Sequence, residues 1–255
     1  GLAAWPLKQQ ALLRQLDGAP LDSALRLARA AGQLPAGATG ELAWCEQIDK
    51  LAPMATALGE RAGEERPVVE IDLDLDGTRL RGWLPLAEGG FFEAQPAQFS
   101  GKHALRLWLS HLVLCADQRI GAAQPSRFYA QDQQLVLDPL PASAARQVLT
   151  EALSGWRAGQ CAPLPLFPRA AWAYLLSVGA GGDEYKARLA AQRVWEAGWR
   201  AGREPLPGEG DDAYNRVVCR GVETPLGEAF EDWTLRLLGP LLDVRRDKEN
   251  KYPEA

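Results

Sequence analysis

The sequence has 255 residues, 47% of them hydrophobic and 24% charged, with 25 Gly, 18 Pro and twenty aromatics, of which nine are Trp. This is globular usage with enough apolar residues for a sizeable core. Its 28 basic and 33 acidic side chains leave a net charge of −5, which excludes a free-standing nucleic-acid binder held by bulk charge. The longest apolar run, Leu105–Ala116, stops after twelve residues and contains His111, well short of the roughly 18 needed to span a bilayer. There is no charged and apolar leader and no initiator Met, so the sequence reads as a piece of a longer, cytoplasmic protein. Cys45, Cys115, Cys161 and Cys219 are scattered too widely for a zinc site or a small disulfide framework. They read as reduced and mostly buried thiols.

The first third carries helical periodicity. Leu12, Leu13 and Leu16 fall on one side of a stretch that ends at Asp17-Gly18, and a second stretch opens at Asp22-Ser23. A third runs from Glu41 to about Leu58, with Thr39 as its cap and Pro53 as a kink or break. The period then changes. Val69, Ile71, Leu73 and Leu75 alternate with Glu70, Asp72, Asp74 and Asp76, which predicts a half-buried strand. Asp76-Gly77 predicts a hairpin turn and Leu80–Leu84 the returning strand. Phe91–Gln98 reads as a third strand and Lys102–Asp117, apolar on most faces, as a helix packed under other elements. Ser126–Gln131 and Gln134–Leu137 read as two short strands around an Asp132-Gln133 turn. Helices are expected at 141–158, 168–178, 184–200, 213–220 and 225–242, and the polar tail 243–255 is expected to be disordered. Helices, then strands with an embedded helix, then helices again predict one α/β domain, residues 1–242, built on a central mixed sheet with helices on both sides. Its parts are a helical segment 1–66, a sheet core 67–140 and a helical part 141–242.

Asp72-Leu73-Asp74-Leu75-Asp76-Gly77 matches the first half of a calcium loop, but the twelfth position holds Trp83 where a bidentate Glu is required. A strand and its turn explain these residues better. His103 and His111, eight apart on one helix, cannot grip a single ion together. No Gly-x-Ser-x-Gly elbow supports serine hydrolysis. Gly179–Gly182 lacks the P-loop Lys and is followed by Asp183 and Glu184, which would repel a phosphate. The acidic loop 208–212 reads as a helix cap first and a docking site for a basic partner second. The most basic stretch, 186–203, holds Lys186, Arg188, Arg193, Arg200 and Arg203, with Trp195 and Trp199 one helical turn apart. Basic side chains interleaved with aromatics can track a phosphate backbone and stack unpaired bases. These seven are the candidate nucleic-acid-binding residues, with an ordinary amphipathic helix as the plain alternative.

The order of elements, the run Gly101-Lys-His-Ala-Leu-Arg-Leu-Trp-Leu-Ser-His-Leu112 and the run Gly208-Glu-Gly-Asp-Asp-Ala-Tyr214 resemble a known family. It is the C-terminal region of the gamma subunit of bacterial exodeoxyribonuclease V, the RecC-type subunit of the RecBCD helicase-nuclease. The resemblance covers nearly the whole chain, from Trp5 to about Leu242. It implies a degenerate restriction-endonuclease-like fold of the PD-(D/E)xK type. Active relatives of that fold need a carboxylate at the end of the second strand and an Asp/Glu-x-Lys on the next to hold magnesium and orient water. Here Pro85 stands in the first place, Glu93 keeps the second, and Gln95 replaces the Lys. The upstream helix shows Gly40–Trp44 where a His is expected. The resemblance therefore implies no catalytic residues, no metal and no cofactor in this domain. It implies instead a noncatalytic scaffold that docks the beta and alpha subunits and guides DNA strands near the fork during double-strand-break repair and recombination. The alternative is an active magnesium-dependent nuclease with migrated residues, drawn from Asp72 or Asp74, Glu93 and Lys102.

Overall fold

The computed structural model describes residues 4–18, 20–59, 61, 63–120, 124–196, 207–246 and 252. Three helices come first: α1 (Ala4–Leu16), α2 (Leu21–Ala30) and α3 (Ala38–Gly59). The third runs through Pro53 and already includes Thr39, so Thr39 is not its cap. Their apolar faces, with Leu12, Trp44, Leu51 and Met54 inside, form a core of their own.

The strands β1 (Val68–Leu75) and β2 (Thr78–Pro85) pair antiparallel over their full length as a separate two-stranded sheet. Asp76 and Gly77 both take positive φ, 52° and 80°, the geometry a tight two-residue hairpin needs and Gly tolerates best. The Asp74 carboxylate accepts the Gly77 N–H at 2.9 Å, so the aspartates serve strand and turn. Ile71, Leu73 and Leu75 turn inward. The Arg146 guanidinium donates to the Asp74 carbonyl at 2.9 Å, tying the hairpin to a later helix.

A second sheet of three strands holds the centre: β3 (Phe92–Ala94), β4 (Ser126–Tyr129) and β5 (Gln134–Leu137). β3 and β4 run parallel and β4 and β5 antiparallel. A parallel pair needs a crossover, and α4 (Gly101–Ala116) supplies it. The expected mixed sheet is therefore present, but the hairpin stands apart from it, giving two small sheets in place of one. Side chains alternate across a strand, and the central sheet uses both faces. Phe92 and Tyr129 face the N-terminal helices, whereas Phe91, Phe128, Leu135 and Leu137 join the larger core with α4.

That larger core is completed by α5 (Ala142–Cys161), α6 (Pro168–Gly179), α7 (Glu184–Trp195), α8 (Ala213–Val218), α9 (Glu228–Leu238) and α10 (Leu241–Val244). The helix expected from Pro225 begins at Glu228 and breaks at Gly239-Pro240. The start of the tail is ordered, against expectation. The Arg246 N–H donates to the Val136 carbonyl at 3.0 Å and the Asp138 N–H to the Val244 carbonyl at 2.7 Å. Tyr252 donates its hydroxyl to the Ala130 carbonyl at 2.7 Å. Backbone pairing along the β5 edge fixes polar residues that carry no hydrophobic signal. The remaining tail residues, 247–251 and 253–255, lie outside the described residues.

Of the four cysteines, all free, only Cys115 is buried, while Cys45 and Cys161 are exposed. Cys115 lies one turn from His111, which is fully buried. The His111 Nε2–H donates to the Asp138 carbonyl at 3.0 Å, and Nδ1 accepts the Ser126 hydroxyl at 2.8 Å. Burial pushes its pKa down to about 4 from an ordinary 6.5, against the weaker opposing pull of Asp138. The native imidazole is thus neutral, and only the unfolded chain gains the proton between those values. Stability therefore falls as the pH drops from 6.5 towards 4, by about 3 kcal/mol in all. Urea titrations across this window should show the slope, and His111→Gln should flatten most of it; an equal slope in the variant would assign it to other groups.

Candidate functional site

The seven candidate nucleic-acid contacts separate into different roles. Lys186 and Arg193 are exposed on α7 and lie seven positions apart, two helical turns, hence on one face. The Lys186 ammonium is 3.6 Å from the Asp183 carboxylate, and Arg193 makes no ion pair among the described residues. Arg188 is engaged in packing: its guanidinium bonds Glu231 of α9, at 3.1 Å for one contact, and Glu184 of its own helix. Those carboxylates hold it charged and raise its pKa. Trp195 packs its ring 4.4 Å from Phe167 and half-buries against the main core. A Cβ on Gly210 would come within 2.7 Å of that ring. Trp195 is thereby a wedge between α6 and the acidic loop, not an open stacking platform. Trp199, Arg200 and Arg203 lie outside the described residues.

The acidic loop itself is built as a set of caps. Asp212 accepts the Tyr214 N–H at 3.0 Å at the start of α8. Buried Glu209 reaches across 39 positions to accept the Ala170 N–H at 2.7 Å, and the Arg169 N–H at 3.0 Å. It satisfies the first turn of α6, where Pro168 stands at N1. Sequence reading assigned this loop a cap but missed that Glu209 caps a distant helix. No local pattern announces such a pair.

The carboxylates required for metal chemistry do not converge. Asp72 is held by Arg79 through two contacts of 2.7 Å, with Arg81 at 3.5 Å, and this pairing keeps its pKa low. Asp74 closes the hairpin turn. Lys102 is exposed at the first turn of α4. Glu93 on β3 is mostly enclosed, and burial raises its pKa despite Arg106, whose Nε lies 2.9 Å from Oε2. Among the described residues no group of three or more His, Cys, Asp or Glu is placed to hold a metal ion. One carboxylate matched to one guanidinium does not fit the donor set magnesium needs.

The motif Gly101–Leu112 is occupied in holding α4. The Ser100 N–H donates to His103 Nδ1 at 3.2 Å, and the His103 ring stacks 4.7 Å from Phe128. His103 is therefore half-buried and does not belong to a solvated polar face. Arg106 meets Glu93, and His111 meets Ser126. The Trp108 indole N–H donates to the Leu237 carbonyl at 2.7 Å, joining α4 to α9. A family profile described as the RecC C-terminal domain matches residues 1–179. The chain belongs to the RecC C-terminal domain family. It is also 30% identical over 254 aligned residues to "RecBCD enzyme subunit RecC" of Escherichia coli (strain K12), an alignment covering 94% of this chain and 22% of that protein. The chain thus spans about a fifth of the length of that curated relative. The RecC-type motif is, in this chain, a packing motif throughout. Among the described residues no helix is long and apolar enough to cross a membrane.

Proposed function

We propose that this chain is a noncatalytic scaffold and strand-guiding domain of a multisubunit helicase-nuclease acting in double-strand-break repair and recombination. It docks the beta and alpha subunits in the cytoplasm and contacts single strands near the fork. The observation that carries the noncatalytic part is the isolation of Glu93, neutralised by Arg106 with no second carboxylate beside it. Two features support a degenerate restriction-endonuclease-like core: the order hairpin, strand, helix, strand, and the parallel pairing of the two strands flanking α4. The central sheet serves as a wall for both cores, which supports reading residues 1–242 as one domain.

DNA contact falls to the Lys186/Arg193 face of α7 and its continuation through Trp199, Arg200 and Arg203, while Arg188 and Trp195 position that helix. Lys186→Ala with Arg193→Ala is expected to weaken single-strand binding by the assembled complex and to lower the salt slope by about 2, one unit per lost phosphate contact. Fluorescence anisotropy over a salt series measures it; an unchanged slope would remove this face from the DNA path. Association of the chain with the beta and alpha subunits, followed by analytical ultracentrifugation, tests the docking role. A chain that sediments alone at micromolar subunit concentrations would refute it.

A further inference from the structure

The outer edge of β2 pairs with nothing among the described residues. No backbone hydrogen bond joins Arg79–Pro85 to any segment but β1. Proteins blunt such edges with short strands, bulges or prolines. β2 instead runs eight residues in unbroken register, with its one proline at the last position. Beside the edge lies a groove of about 210 Å³ between β2 and α4, walled by Leu80, Trp83, Leu84, Leu109 and Val113. Trp83 is 73% exposed although it stands over this apolar floor. Gly82 lies mid-strand in the same groove, and a Cβ added there would meet nothing within 4 Å. A glycine inside a strand weakens it unless something approaches closely, and here the space for a second backbone is open. Arg81 is the one charged side chain among the described lining residues, 63% exposed.

These features select the occupant. A nucleic acid is disfavoured, because the hairpin face bearing Arg79, Arg81 and Trp83 also bears Glu70, Asp72 and Asp74 directly opposite: three carboxylates against two guanidiniums. An extended peptide satisfies everything the groove offers. Unpaired N–H and C=O groups call for a strand, the apolar walls for alternate hydrophobic side chains, and Arg81 for a carboxylate. We propose that the β2 edge is a strand-addition site for an extended segment of a partner subunit. That segment seats apolar side chains between Trp83 and Leu109 and places a carboxylate on Arg81. The inference rests on the docking role above and gives it a location.

Hydrogen exchange on the chain alone and in the assembled complex with the beta and alpha subunits tests it. The amides of Arg79–Leu84 are expected to slow at least tenfold on assembly. Trp83→Ala and Arg81→Glu, both at exposed positions, are expected to weaken association at least tenfold without changing the melting temperature of the free chain. Assembly with protection elsewhere and unchanged β2 exchange would overturn this site while leaving the docking role intact. Absence of association, with no protection anywhere, would overturn both. Protection of β2 by a single-stranded oligonucleotide and not by the subunits would replace the peptide occupant with DNA.

Discussion

Trp108→Ala is expected to cost about 5 kcal/mol of folding stability, the largest effect of any single substitution considered for this chain. The side chain is fully buried, and its indole N–H is bonded to the Leu237 carbonyl at 2.7 Å. Truncating a buried Trp costs roughly 3–5 kcal/mol in transfer and cavity terms, and an orphaned carbonyl adds about 1–3 kcal/mol. Against a total stability on the order of 5–15 kcal/mol, the variant sits near the edge of folding. Trp108→Phe keeps most of the volume and loses the hydrogen bond, so about 2 kcal/mol is expected. Urea denaturation of the two variants separates packing from hydrogen bonding; equal losses would mean that the α4–α9 tie contributes little beyond burial.

The second large effect is at Gly101. A Cβ there would lie 1.8 Å from the Pro168 carbonyl oxygen and 2.8 Å from the Trp172 Cβ. Neither is the end of a flexible chain, so α4 and α6 would have to move apart. Gly101→Ala is expected to cost about 3 kcal/mol or more, at the upper end for overpacking. Gly82→Ala, where the same added carbon meets open space, should stay within about 0.5 kcal/mol. Thermal melts of the pair measure the difference; similar values would mean that the helices tolerate a wider spacing. Both large effects fall inside Gly101–Leu112, the run by which the family is recognisable. That run is distinctive because four of its side chains and one missing side chain each meet a different element.

Much of this was legible in the sequence, where the physics is local. Alternation over 69–75 and the Asp76-Gly77 pair specify a hairpin without reference to anything else, and α4 lies within a residue of its expected bounds. Pairing between distant segments left no such trace. Whether β1 joins β3 depends on backbone contacts that hydrophobic period does not encode, so one expected sheet became two. Residues 244–246 join β5 through main-chain bonds, which polar side chains conceal. At the candidate site, helical spacing correctly put Lys186 and Arg193 on one face. It could not show that Arg188 has a carboxylate on α9 or that Trp195 has Phe167 beneath it. Trp83 was legible but unread: the period that places Ile71 and Leu73 inward places Arg79, Arg81 and Trp83 outward.

The central claim, a nuclease-like domain without catalysis, is tested most directly by titrating magnesium and manganese into the chain by calorimetry beside a single-strand and duplex cleavage assay, with Glu93→Ala as control. The arrangement of Glu93 against Arg106 predicts no saturable metal binding, no cleavage and no difference between chain and variant. Binding and cleavage that vanish together in Glu93→Ala would contradict it.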